Sequence, residues 1–244
     1  MMQLETRTID QPGNLVVVAW WTGYTNHGLL HVELPASIHD RDVAAELVAI
    51  RHLMFDREVF NRSPSSSKGY SLKVSKGAIK KLVQGKSTKK HLAPYAAFLN
   101  QRLEGISIDV SRNTDWLDMA KAGTIEHVTV GDDVTTLHEK LTTPAIGQIY
   151  LTRHAVKRYA ERHAGEGMTN PWRSLTARLM NPDLQRVEIP PPALLNKAMR
   201  HGRSDNVEAW GHPDSRFVYL VVEESGKRTL VTVFRKPKAN RAYQ

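Results

Sequence analysis

The segment YLTRHAVKRYAERH, residues 150–163, concentrates histidine and arginine in a short stretch of chain. At about 100° per residue, a helix over this segment has apolar residues on one side and His154, Arg158 and Arg162 along a stripe on the other. Imidazole titrates near neutral pH, and the planar guanidinium group binds phosphate in a bidentate manner. The segment therefore predicts an anion-contacting face, with an ordinary solvated amphipathic helix as the alternative.

A second basic stretch covers residues 61–90, which hold nine Lys or Arg and no Asp or Glu. A block of one charge sign is typical of a surface that binds a polyanion such as a phosphate backbone, although a lysine-rich face can also serve solubility alone. The lysines that we predict to contact nucleic acid are Lys76, Lys80, Lys81, Lys86, Lys89 and Lys90, together with Lys157 of the first segment.

The overall charge supports a polyanionic partner. The 244 residues include 34 Lys and Arg against 25 Asp and Glu, a formal net charge of +9, and the surplus lies after residue 145, where 17 basic residues meet only 9 acidic ones. Cysteine is absent, which fits a cytoplasmic protein, and no apolar run approaches the roughly 20 residues of a membrane span. We therefore expect a cytoplasmic protein with no membrane partner.

No motif predicts a cofactor or a metal. The string GKST at residues 85–88 lacks the first glycine of a phosphate-binding loop, because Lys80 occupies that position. The 11 histidines show no tight ligand spacing such as HExxH. The expected cofactors and metals are accordingly none.

The elements of the first part alternate between strands and helices. After a polar start, the run from Leu15 to Trp21 and residues 29–34 predict a strand hairpin, and apolar spacing predicts a helix over residues 42–60. Further patterns predict a strand at YSLKV, helices over residues 76–83 and 92–103, a strand at residues 106–110 and a helix start at 113–120. This order predicts a mixed α/β domain over residues 1–122.

This order resembles the ribonuclease H fold over Leu15 to Ala122. AAELVAIRHL corresponds to the helix that carries the second catalytic carboxylate in that family, and TDWLDMA corresponds to the start of its last acidic helix. The resemblance matches Glu46 and one of Asp115 or Asp118 to the family's acidic residues.

Two required aspartates have no counterpart in this comparison. The first predicted strand reads VVVAWWTG, and the middle strand KVSKG has Ser75 at or near the required position. Two-metal phosphodiester cleavage needs several carboxylates around cations about 4 Å apart. We therefore predict a ribonuclease H-like domain that has lost its metal chemistry and retains the basic block.

Residues 123–145 lack apolar periodicity and predict a linker or extended arm, followed by a basic α+β domain over residues 146–244. This domain opens with the strand IGQIYL and the histidine-rich helix. Asn170 and Pro171 predict a second helix start, ALLNKAMRH predicts a short helix, and RFVYLVVEESGKRTLVTVFRK predicts a closing hairpin.

From Ile149 to Lys236 the second domain resembles the small RelE and BrnT toxin-like ribonucleases. The resemblance rests on a strand, the helix pattern His-Ala-x-x-Arg-x-x-x-Arg and the final strand VTVFRK, although this chain has a longer middle. In that fold class RNA is cut without a metal. The resemblance then implies His154 as base, Arg158 and Arg162 as phosphate clamps and Arg235 as a further charge stabiliser.

These patterns predict a two-domain α/β protein that binds nucleic acid, RNA in preference to DNA, with metal-independent endoribonuclease activity as a further hypothesis. The preference for RNA comes from the second resemblance alone. The alternative is a non-catalytic inhibitor or adaptor whose basic faces dock on a protein partner.

Overall fold

The computed structural model describes residues 1–131, 138–163, 168, 170–189 and 205–236. The chain divides into two compact units, Met1–Leu137 and His138–Gln244. Each unit is built on a mixed six-stranded sheet with helices, so the predicted α/β class is confirmed at that level. None of the helices in the described ranges has the length and apolarity needed to cross a membrane.

The sheet of the first unit has the strand order β5-β4-β1-β2-β3-β6. Its strands are β1 (Met2–Asp10), β2 (Leu15–Gly23), β3 (Asn26–Glu33), β4 (Tyr70–Val74), β5 (Ser107–Val110) and β6 (Thr124–Thr129). β2 is antiparallel to both of its neighbours, β1 and β3. β4 is parallel to β1, β5 is parallel to β4, and β6 is parallel to β3.

Four α-helices and a 3₁₀ turn connect these strands. They are α1 (Arg41–Phe55), α2 (Gly77–Val83), the 3₁₀ turn Lys90–Leu92, α3 (Ala97–Gln101) and α4 (Leu117–Ala122). The predicted helix at 92–103 is thus confined to a turn and a short helix. Pro94 lies inside that stretch, and proline cannot donate the backbone hydrogen bond that a continuous helix requires.

The core of the first unit explains the apolar run in β2. Val16, Val18 and Trp20 belong to the main buried cluster with α1, whereas Val17 and Ala19 pack on the opposite side with the α4 region. Successive strand side chains point to opposite faces of a sheet, so a strand covered on both faces is apolar throughout. The prediction of a buried strand is confirmed.

The polar start of the chain is a strand, contrary to the prediction. The strand β1 lies at the centre of the sheet, paired with β2 on one side and β4 on the other. The sequence MQLETRTID does not predict a central strand, because two of its buried residues, Glu5 and Thr6, are polar. The run from Leu15 is therefore the second strand of the chain and not the first.

The predicted linker at 123–145 contains two strands instead. β6 pairs with β3 over six residues, and β7 (Glu139–Thr143) belongs to the sheet of the second unit. Gly28 permits the first pairing, because a Cβ atom there would lie 2.3 Å from the carbonyl oxygen of Thr124. These strands escaped sequence reasoning because edge strands are short and polar.

The second unit has the strand order β7-β8-β12-β11-β10-β9. Its remaining strands are β8 (Gly147–Leu151), β9 (Gln185–Arg186), β10 (Val207–Gly211), β11 (Phe217–Glu224) and β12 (Lys227–Arg235). The hairpin of β11 and β12 turns at Ser225 and Gly226, both with positive φ, which confirms the predicted closing hairpin.

Two helices, α5 (Arg153–Arg162) and α6 (Pro171–Leu179), contribute to the core of this unit. The side chain of Asn170 accepts a hydrogen bond from the backbone N–H of Arg173, and Pro171 occupies the first turn, as predicted. Tyr159, Trp172 and Phe217 belong to one buried cluster. The predicted helix ALLNKAMRH lies outside the described residues.

Candidate nucleic-acid interface

The helix α5 has the amphipathic division that the sequence predicted. Thr152 caps its first turn by accepting a hydrogen bond from the backbone N–H of Ala155. Val156 and Tyr159 are buried, while His154 and Arg158 are exposed. The structure therefore brings the predicted histidine and arginine to the surface on one side of the helix.

His154 and Arg158 also contact each other. The Nε atom of Arg158 donates to Nε2 of His154 at 3.4 Å, and Nη1 of Arg158 contacts a carboxylate oxygen of Glu161 at 2.9 Å. Nε2 of His154 is thus the acceptor nitrogen in this contact. The arginine is held by its neighbours with 44% of its side chain exposed.

Arg162 differs from the other two members of the predicted stripe. It is half-buried, and its Nη1 donates to the backbone carbonyl of Val233 on β12. Burial, followed by repulsion from Arg158, lowers the pKa of Arg162. Arg162 therefore ties α5 to the sheet, and the exposed part of the stripe consists of His154 and Arg158, flanked by Arg153 and Lys157.

Arg235 lies beside an aromatic cluster near the end of α5. Its guanidinium carbon is 5.6 Å from the ring centre of Phe217, and that of Arg178 is 5.1 Å from the same centre. The rings of Tyr159 and His163 also lie within 6 Å of this phenylalanine. The ring of Phe217 thus contacts the guanidinium groups of Arg178 on α6 and Arg235 on β12, and cation–π attraction favours this arrangement.

Arg178, Arg216 and Arg235 line a cavity of about 370 Å³. The lining also includes His212 and one acidic residue, Asp214. Of the three arginines, sequence reasoning found only Arg235 as a site residue. Arg178 and Arg216 are far apart in the chain, and no spacing rule shows that α6 and the start of β11 meet.

The lysines predicted in the first unit fall into two groups. Lys76 pairs with Asp42 at 2.8 Å, and Lys89 pairs with Asp40. Lys81, Lys86 and Lys90 are exposed, Lys80 is half-buried, and none of these four forms a salt bridge with a residue in the described ranges. Lys157, the remaining predicted contact, lies exposed on α5, 3.9 Å from Glu161.

The acidic residues that the sequence matched to the ribonuclease H family differ in their exposure. Glu46 on α1 is fully buried and accepts hydrogen bonds from the hydroxyl of Thr6, the backbone N–H of Ser75 and the hydroxyl of Ser75. Burial raises the pKa of Glu46 to about 7, although these hydrogen bonds act in the opposite direction. Asp115 and Asp118 are exposed.

The carboxyl group of Glu46 on α1 thus connects the hydroxyl of Thr6 on β1 with the hydroxyl of Ser75 at the end of β4. In the part of the chain that the structure describes, no group of three or more His, Cys, Asp or Glu residues is arranged to hold a metal ion. The sequence identified Glu46 and Ser75 but missed Thr6, because the first strand was not recognised.

Comparisons of this chain with protein-family models, with curated proteins and with solved structures found no match. The functional interpretation therefore depends on the residues and geometry described above.

Proposed function

We propose that this protein binds nucleic acid, RNA in preference to DNA, and that the exposed face of α5 is a principal contact surface. The observation that carries the proposal is the exposure of His154 and Arg158 side by side on a helix with four basic residues and one acidic residue. Such a surface attracts phosphates and releases their counterions on binding. The preference for RNA rests on the resemblance to RelE and BrnT toxin-like domains.

The same face supports metal-independent cleavage as a second part of the proposal. The 2′-hydroxyl of RNA attacks the adjacent phosphorus and gives its proton to His154. The bond from phosphorus to the 5′-oxygen breaks, the 5′-oxygen takes a proton from water, and a 2′,3′-cyclic phosphate forms. Arg158 stabilises the charge that grows on the phosphate oxygens. Arg162 positions α5 through its bond to Val233, and Arg235 adds positive charge.

In this proposal the first unit is a ribonuclease H-like scaffold without metal chemistry. The order of strands and helices from β1 to α4 supports that resemblance, as does the meeting of Thr6, Glu46 and Ser75. Lys81, Lys86 and Lys90 add affinity that does not depend on sequence.

The alternative is a non-catalytic adaptor that docks on an acidic protein surface. The two functions differ in how affinity for RNA depends on salt, because phosphate contacts release condensed counterions and make log K fall linearly with log[salt].

The test measures binding of a single-stranded RNA by fluorescence anisotropy at several salt concentrations. We expect Arg158→Lys to weaken binding on the order of tenfold, because a point charge replaces a bidentate fork. Arg173→Lys, an exposed position on α6, is the matched control. Unchanged affinity in Arg158→Lys would contradict the α5 interface, and a protein that shows no RNA binding would favour the adaptor.

Cleavage is measured separately on the same RNA in EDTA. We expect a product with a 2′,3′-cyclic phosphate end, and we expect His154→Ala to abolish it while binding persists. Binding without any cleavage by the unmodified protein would remove the catalytic part of the proposal and leave the binding part.

A further inference from the structure

The strongest feature beyond the α5 face is the cavity lined by Arg178, Arg216 and Arg235, of which the proposed function uses only Arg235. Its walls come from α6, the turn between β10 and β11, and the two strands of the closing hairpin. The cavity volume of about 370 Å³ lies in the range of pockets that hold small ligands.

Among the described residues that line this cavity, basic groups outnumber acidic ones. Three guanidinium groups face one carboxylate, Asp214, whose side chain is 93% exposed. Within the described ranges, no salt bridge joins an acidic residue to any of these three arginines. Like charges gathered in one concave site repel one another unless an anion separates them.

The arginines are nevertheless held in place. Nε of Arg178 donates to the hydroxyl of Tyr159 at 2.8 Å, and Nη2 of Arg216 donates to the carbonyl of Lys236 at 3.3 Å. The buried Nε of Arg216 has no hydrogen-bond partner among the residues that the structure describes. The guanidinium groups of Arg178 on α6 and Arg235 on β12 both contact the ring of Phe217, which positions them. The donors are therefore oriented before a ligand arrives.

We infer that this cavity binds the terminal phosphate monoester of an RNA strand. The inference rests on the proposed RNA binding and adds a second contact, specific for a chain end. A phosphate monoester is a dianion with three terminal oxygens, so it can accept from several guanidinium groups at once. The net charge of three arginines and one aspartate matches a dianion better than the single charge of an internal phosphodiester, and the volume leaves room for the attached nucleoside.

The test compares three versions of one 2′-O-methyl RNA oligonucleotide, which cannot be cleaved through its 2′ position: 5′-phosphorylated, 3′-phosphorylated and with hydroxyl ends. We expect a terminal phosphate to raise affinity by about tenfold, equivalent to about 1.4 kcal/mol. In Arg178→Gln and in Arg235→Gln this gain should fall below about twofold. Arg173→Gln removes the same charge from α6 outside the cavity and should retain the gain.

Thermal unfolding of each variant verifies its fold, because Arg178→Gln also loses the bond to Tyr159. If a glutamine variant does not fold, Arg178→Lys and Arg235→Lys take its place, and the gain should again be reduced. A terminal phosphate that adds no affinity, or a gain that survives in the cavity variants, would overturn the inference.

Failure of the proposed function gives a different pattern. If RNA with hydroxyl ends does not bind, a calorimetric titration with adenosine 5′-monophosphate tests the cavity directly. Binding that Arg178→Gln abolishes supports the cavity while the RNA proposal fails, and absence of binding overturns the cavity as well. Inorganic phosphate that competes equally well would assign the site to free phosphate and overturn the RNA-end specificity.

Discussion

At the residue scale, Glu46 is the group whose chemistry the fold changes most. Its carboxyl group is buried where β1, α1 and the end of β4 meet, and it accepts hydrogen bonds from Thr6 and Ser75. Burial favours the neutral acid, and the pKa of Glu46 rises from 4.5 to about 7. This position therefore links stability to pH.

We expect the stability advantage of the wild type over Glu46→Gln to shrink as pH rises. The pKa is raised in the folded state, so the stabilisation is fully present below about pH 4.5 and is lost as pH rises through about 7. At 1.36 kcal/mol per pKa unit, the change is roughly 3 kcal/mol. In the structure the hydroxyl of Ser75 donates to Glu46. A glutamine at this position keeps a carbonyl oxygen that can accept this bond, but its amide does not titrate.

Urea unfolding gives the free energy of unfolding of the wild type and of Glu46→Gln at pH 4.5, 6 and 7.5. The difference between the two proteins at each pH cancels the contributions of all other titrating groups. Glu46→Ala serves as control, because it leaves the hydroxyl of Thr6 and the N–H of Ser75 without their acceptor and should destabilise at every pH. Parallel pH profiles for the wild type and Glu46→Gln would contradict the raised pKa.

At the element scale, the basic block of the first unit is divided by its ion pairs. Lys76 and Lys89 are held by Asp42 and Asp40, while Lys81, Lys86 and Lys90 are exposed on α2 and the segment after it. A lysine in an ion pair has part of its charge already neutralised, so only the exposed group is expected to release counterions on binding.

We expect replacement of Lys81, Lys86 and Lys90 by Ala to flatten the dependence of log K on log[salt] for single-stranded RNA. Each lost phosphate contact contributes about 0.7 to the slope, so the triple variant should lose up to roughly 2. The control is Lys76→Ala combined with Lys89→Ala, which should leave the slope nearly unchanged. An unaltered slope in the triple variant would identify the block as a solubility surface.

At the scale of the whole molecule, basic residues outnumber acidic ones while the described carboxylates form no metal-binding group. Glu46 is fully buried among hydroxyl groups, and Asp118 forms an ion pair with Lys121 at 3.2 Å. In the proposed function, cations of the protein itself therefore neutralise the charge of the phosphate.

We expect no hydrolysis of RNA–DNA hybrids that depends on Mg²⁺ or Mn²⁺, because two-metal catalysis needs converging carboxylates. The measurement is a hybrid cleavage assay with each metal and with EDTA, and Glu46→Gln should behave as the wild type does. Metal-dependent cleavage that Glu46→Gln abolishes would show that the first unit retains a metal site.

The sequence by itself determined the elements whose patterns are local. The apolar run of β2, the spacing of α1, the cap at Asn170 and the turn at Ser225 and Gly226 each have a physical cause within a few residues, and the structure confirms them. The division of α5 into a buried and an exposed face is of the same kind, since helical periodicity alone fixes it.

Tertiary structure decided what distant segments do together. β1 is recognised only through its pairing with β2 and β4, and β6 only through its pairing with β3, because polar side chains conceal both strands. The cavity of Arg178, Arg216 and Arg235 and the burial of Glu46 beside Thr6 and Ser75 join separate elements. Such contacts depend on packing over long stretches of chain, and a pattern in neighbouring residues carries no information about them.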